Sequence, residues 1–309
     1  MLKNLSQLLR GMKQVDTDAG QADTLSPPHE RVLAKAWGLT TTDGLIPWAA
    51  LEAKASLNQG WAFITPCHWA MGLQHATLTD PATLALNEAD SHTLLAAMQP
   101  YFATEGITLH YRQPTCWLAE GEVFRNLPTA SIDRVLGRNV DRWLPGDGRR
   151  DGPPLASPAP SGGSVVREAT SVGARRIKLL QNEMQMLLYT HPVNDERSAK
   201  RQRSVNSFWV SGSGALNQSA TANPQVNMRR SLAQAALADD WTAYGQAWSR
   251  LDANDILQLL ALQNSGKTVR ISLCGESNAM TFETAQHGWL TKIKNALSPQ
   301  PPINLLKQL

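Results

Sequence analysis

Residues 189–214 read YTHPVNDERSAKRQRSVNSFWVSGSG, and three changes of pattern fall within them. From upstream an amphipathic repeat runs in, with Ile177, Leu180, Met184, Leu187 and Leu188 on one stripe at helical spacing. A residue that precedes proline is pushed out of the helical region, so the helix over 175–190 is predicted to end at His191-Pro192. A charged run follows, with Asp195, Glu196 and Arg197, then Lys200, Arg201 and Arg203. Past Asn206, the residues SFWV read as a buried strand leading into Gly212, with a loop over 212–225.

Working outward, helices and strands alternate along the rest of the chain. Helices are predicted over 2–13, 29–37, 48–55 and 87–106, the last kinked or ended early at Pro100. Strands are predicted over 60–65, 75–78, 107–112 and 115–118. After the loop come helices over 228–237, 241–250, 253–263 and 287–297, with strands over 269–274 and 280–282. Pro, Gly and Ser dominate 145–175, which reads as a flexible loop or linker. The fold class expected is α/β, with α+β possible. The divisions expected are 1–58, a helical part of a core; 59–144, an α/β domain; the loop 145–175; and 176–309, the long helix with a C-terminal α/β core.

The chain has 309 residues, 42% of them apolar and 18% charged, which suffices for a sizeable core and excludes wholesale disorder. Many of its ten Trp are expected half-buried at domain seams. Twenty-nine basic against 26 acidic residues leave a net charge of +3, too balanced to announce a nucleic-acid partner. Cys67, Cys116 and Cys274 are far apart and make no metal-binding spacing, which fits a reducing compartment. The first residues are too polar for a signal peptide, and no run of 18 apolar residues exists. A soluble, cytoplasmic protein without a membrane partner is expected.

Motifs for common chemistries are sparse. A zinc site needs four convergent ligands, and Cys67-His68, being adjacent, point to opposite faces of a strand. The expectation is therefore no metal site, with His68, His75 and His110 as core or rim histidines. No G-x-S-x-G, Walker A or G-x-G-x-x-G frame occurs. The run around Gly212 and Gly214 is able to present backbone N–H groups to an anion; the alternative is a flexible loop. Arg197 and the basic run after it are suited to clamping a phosphate or carboxylate. Their alternative is a solvated charge cluster at the helix end.

The pattern H-P-x-N-x-x-R, a basic stretch, then N-x-x-x-x-x-G-x-G resembles a segment of the archaeal-type cofactor-independent phosphoglycerate mutases. The matching residues are His191, Pro192, Asn194, Arg197, Asn206, Gly212 and Gly214. The phrases SPPHERVLA, DGLIPWAA, LQNEMQMLLYTHPVND and VNSFWVSGSG are similar to a bacterial group labelled phosphoglycerate mutase, or RpfE-type regulatory proteins. The resemblance implies a reduced fold of the alkaline phosphatase superfamily, with 59–144 as a lid-like domain. It also implies isomerase chemistry on a phosphorylated three-carbon acid, using a Ser nucleophile and two divalent metals (Mn, Mg or Zn).

That metal set needs Asp-His and Asp-x-x-x-His spacings, and the chain has neither. Where Gly-Asp-His would fall it reads Gly275-Glu276-Ser277. The expectation is a phosphoglycerate-mutase-like protein without the recognisable two-metal centre and with no recognisable cofactor. It would bind a small phosphorylated metabolite or act in regulation. The alternatives are an active mutase or phosphatase with another ligand set, and a protein–protein interaction module. The expected ligand-binding residues are Asn194, Arg197, Asn206, Gly212 and Gly214, with His191; Ser26 and Glu276 are the catalytic candidates.

Overall fold

The computed structural model describes residues 2–21, 23–146, 164–285 and 305–309, with the backbone alone for 164–169. The chain opens with α1 (Lys3–Arg10), β1 (Met12–Ala19), α2 (Pro28–Ala36) and α3 (Trp48–Glu52). Next come β2 (Trp61–Cys67), β3 (Trp69–Met71), β4 (Ala76–Leu78), α4 (Glu88–Thr104), β5 (Thr108–Gln113) and β6 (Cys116–Glu120). Then follow α5 (Ile132–Val135), α6 (Ser164–Tyr189), α7 (Pro192–Ala199) and β7 (Ser207–Gly214). The last elements are α8 (Ser231–Leu237), α9 (Trp241–Leu251), α10 (Leu257–Asn264), β8 (Arg270–Cys274) and β9 (Asn278–Thr284). Helices and strands are mixed, as expected, and every named strand pair is antiparallel, which is the α+β form of that expectation.

Two compact units result, one formed by 1–23, 27–33 and 224–309, the other by 24–26 and 34–223. The boundaries expected near 58, 144 and 175 fall inside the second unit and do not coincide with this division. In the first unit β1, β9 and β8 form a three-stranded sheet in that order. Leu5, Leu8, Met12, Ile256, Leu260 and Phe282 make its core. The Asp252 carboxylate accepts from the amide of Leu5 at 2.8 Å and that of Asn4 at 3.2 Å, which satisfies two orphan donors of α1. Strand β1 lies where only a helix to residue 13 was expected; α1 stops at Gly11, and β1 alternates with most of its residues exposed.

In the second unit a four-stranded sheet has the order β5-β6-β2-β7. Ile64, opposite Trp117 on one side and Val210 on the other, marks its buried centre. Leu94, Met98 and Phe102 of α4 and Ile177, Leu180, Met184 and Leu188 of α6 share one core with this sheet. Helix α4 begins at an Asn87 cap, whose side chain accepts from the Asp90 amide at 2.8 Å. It runs through Pro100 rather than ending there, because the buried series continues to Phe102 beyond it. Trp117 and Trp209 are core residues rather than half-buried at a seam. Their indole N–H groups donate to Ser91 Oγ at 2.9 Å and to the Ala130 carbonyl at 3.0 Å.

Three further expectations change. Helix α6 begins at Ser164, so only 145–163 of the expected loop is left, and 147–163 of it lie outside the described residues. His191-Pro192 ends α6 but at once starts α7, with Pro192 in the tolerated first turn. Strand β7 continues through the glycines to Gly214. The helix expected over 287–297 lies outside the described residues.

Candidate functional site

The residues expected to hold an anion are placed in two groups by β7. At its start, Asn194 donates from Nδ2 to the carbonyls of Leu188 at 2.8 Å and Val205 at 2.7 Å. Its Oδ1 accepts from the Val205 amide at 2.8 Å. This one amide ties the end of α6 to the lead-in of β7. Arg197 is fully buried. Its guanidinium donates to the carbonyls of Arg203 and Leu84 and reaches the Asp90 carboxylate at 3.5 Å. Asn206 accepts from the Trp69 amide at 2.7 Å and donates to the Trp69 carbonyl at 3.0 Å, so it pairs like a strand residue with β3. The His191 ring caps α7, accepting from the Val193 amide at 3.3 Å. Each of these groups is engaged with backbone of its own chain.

Gly212 and Gly214 lie at the other end of β7. Six residues at a rise of about 3.3 Å put Gly212 roughly 20 Å from Asn206, too far for one small anion to touch both. Gly212 has φ +58°, and a Cβ there would lie 2.8 Å from the Phe63 ring. It sits at the irregularity in the β2–β7 register, where Trp61 faces Gly214 and Phe63 faces Ser211. These glycines therefore serve a bulge and a close strand approach, and the residues expected to hold one anion fall into two groups at opposite ends of β7.

Between the glycines, Ser213 is fully buried. Its hydroxyl meets Thr129 Oγ1 at 2.8 Å and the carbonyls of Leu127 and Gly44. Ser26, expected as a catalytic candidate, joins the same region. Its Oγ accepts from the Gly44 amide at 2.9 Å, and its own amide donates to Asp43 at 2.8 Å. Glu276 is exposed in the turn between β8 and β9. The hydroxyl network of Ser213 and Thr129 was missed by sequence reasoning, since nothing in their spacing marks them.

Among the described residues no group of three or more His, Cys, Asp or Glu converges. A cleft of about 330 Å³ is lined by Asn58, Gln59, Thr108, Glu120, Glu122 and Arg125, with Arg125 donating to Glu122 at 2.8 Å. Cys67 is buried, and burial pushes its thiol well above the ordinary 9.0, against a weaker opposing bond from Trp69. Among the described residues no helix is long and apolar enough to cross a membrane.

A different feature stands out on α6. Its inner face carries Ala174, Ile177, Leu180, Met184 and Leu188 against the sheet. Counting about 100° per residue, the direction opposite that face is occupied by Val172, Leu179 and Met186, one heptad apart. They are 43%, 55% and 75% exposed, and Tyr189 beyond them is 84% exposed. A helix lying on one face of a core ordinarily turns polar residues outward. In the same unit the hairpin of β3 and β4 exposes Met71 and Leu73 at its tip. Sequence reasoning followed only the inner stripe; the spacing 172, 179, 186 was the available signal for the outer one.

No protein-family model matches the chain, and no curated protein matches it. Among solved structures, the chain is similar to the cofactor-independent phosphoglycerate mutase from Thermoplasma acidophilum DSM 1728. The identity is 13% and the TM-score 0.35, over 99% of this chain and 90% of that one.

Proposed function

We propose that this chain is a regulatory interaction module that docks through the outer face of α6. The observation that carries the reading is the second apolar stripe, Val172, Leu179 and Met186, on the side of the helix away from its core. Large apolar side chains held in water on a rigid helix lower the free energy of any partner interface that covers them, by about 25 cal/mol per Å². The buried core on the other face fixes the helix, so little ordering entropy is lost on docking. A photo-crosslinking amino acid at Met186 tests this. Discrete adducts are expected from that position in native extract and not from exposed Lys200; no adduct from 186 would contradict the reading.

The likeness of 180–195 and 205–214 to phosphoglycerate mutases supports a second reading, a binder of phosphorylated three-carbon acids. Titration calorimetry with 3-phosphoglycerate, without metal and then with Mn²⁺, Mg²⁺ or Zn²⁺, decides it. Saturable heat would support it, and none at millimolar ligand would contradict it.

A further inference from the structure

The outer face of α6 is close to self-complementary, and this names an occupant for it. Leu179 stands at its middle, with Val172 seven residues before and Met186 seven after. At 1.5 Å per residue these lie about 10.5 Å to either side. An antiparallel copy, related by a two-fold axis level with Leu179, sets Val172 level with Met186 of the partner subunit. It also brings Leu179 against Leu179 of the partner subunit. The charges flanking the stripe follow the same symmetry. Arg176 lies three residues before Leu179 and Glu183 four after, about 60° and 40° round the helix in the same sense. A two-fold axis keeps both on one flank, so Arg176 faces Glu183 of the partner subunit, and the pair occurs twice. On the other flank Arg175 comes level with Asn182 of the partner subunit. A parallel two-fold would instead exchange the flanks, setting Arg176 beside Arg175 of the partner subunit, which repel, and Glu183 beside Asn182 of the partner subunit.

We infer that two copies of this chain associate antiparallel through α6, with Leu179 at the centre and Arg176–Glu183 pairs on one flank. The inference rests on the docking reading above and adds the partner. Arg176 also reaches Glu105 of its own chain at 3.6 Å, a solvent-accessible pair that competes only weakly. The stripe from 172 to 189 is about 26 Å long and one helix wide. It covers less than the roughly 800 Å² per partner of a standard interface, so dissociation in the range of tens of micromolar is expected.

Sedimentation equilibrium of the full chain from roughly 5 to 500 µM tests this, since mass action makes a weak dimer concentration-dependent. A reversible monomer–dimer equilibrium is expected. Leu179→Asp should be monomeric throughout. Arg176→Glu should weaken association about tenfold, because each of two pairs becomes repulsive, and Arg176→Glu with Glu183→Arg should restore it. The circular dichroism melt of each variant should match the parent. A chain monomeric at every concentration, a dimer indifferent to Leu179→Asp, or a charge swap that fails to restore association would each overturn the inference. A monomer that still gives adducts from position 186 overturns self-pairing alone, the face then being covered by another protein or by the chain's own 147–163 or 286–304. A monomer giving none overturns the docking reading as well.

Discussion

Arg197 shows how a residue suited to clamping a ligand becomes a structural post. A guanidinium offers five donors in a rigid fork, and here the fork spans the carbonyls of Leu84 and Arg203 with Asp90 alongside. Arg197→Ala leaves those acceptors buried without donors, so a loss of about 3 kcal/mol in urea unfolding is expected. Gly212 is a second such position. Gly212→Ala places a Cβ at positive φ and 2.8 Å from the Phe63 ring, and about 2 kcal/mol of destabilisation is expected by the same measurement. Cys67 gives a prediction in pH. The folded chain keeps its thiol protonated above 9.0, where the unfolded chain loses the proton. Its contribution is therefore complete below that value and declines as pH rises past it. Thermal unfolding measured from pH 8 to 10 should show an alkaline loss that is smaller in Cys67→Ala.

At the scale of elements, α6 has one face that the core requires and one that it does not. Ile177→Asp buries a charge against the sheet and should unfold the second unit, costing more than about 3 kcal/mol. Leu179→Asp, two residues on, should change stability by no more than about 0.5 kcal/mol, because the side chain is exposed. The pair of melts separates a folding role from a docking role within one helix. Legibility in the sequence followed the same line. The inner stripe of α6 and the hairpin of β5 and β6 bury one regular face, so periodicity alone exposes them. Strand β1 hides because its alternation buries little, and the first turns of α6 hide behind a Ser- and Gly-rich composition. Pro192 reads as a stop, yet proline at a first turn opens a helix equally well.

For the whole molecule, composition and alternation gave the mixed architecture, whereas the division into units was not legible. Residues 24–26 and 27–33 belong to different units, and the first unit joins both ends of the chain. Such pairing of distant segments, like β1 with β9, leaves no trace in local pattern. Segment 189–214 reads as unusual, but its chemistry was legible only in part. Spacing shows which polar residues are together and not which carbonyls they meet, and Asn194, Arg197 and Asn206 all turn to their own backbone. The outer face of α6 lies in the same unit as that segment, and the account rests on its being covered when the protein works. The most direct measurement is the maleimide labelling rate of Leu179→Cys, carried in a Cys274→Ser background, at dilute and then at high concentration of unlabelled chain. The account predicts fast labelling when dilute and a several-fold slowing as the face is covered; a rate that stays the same at every concentration and in native extract would contradict it.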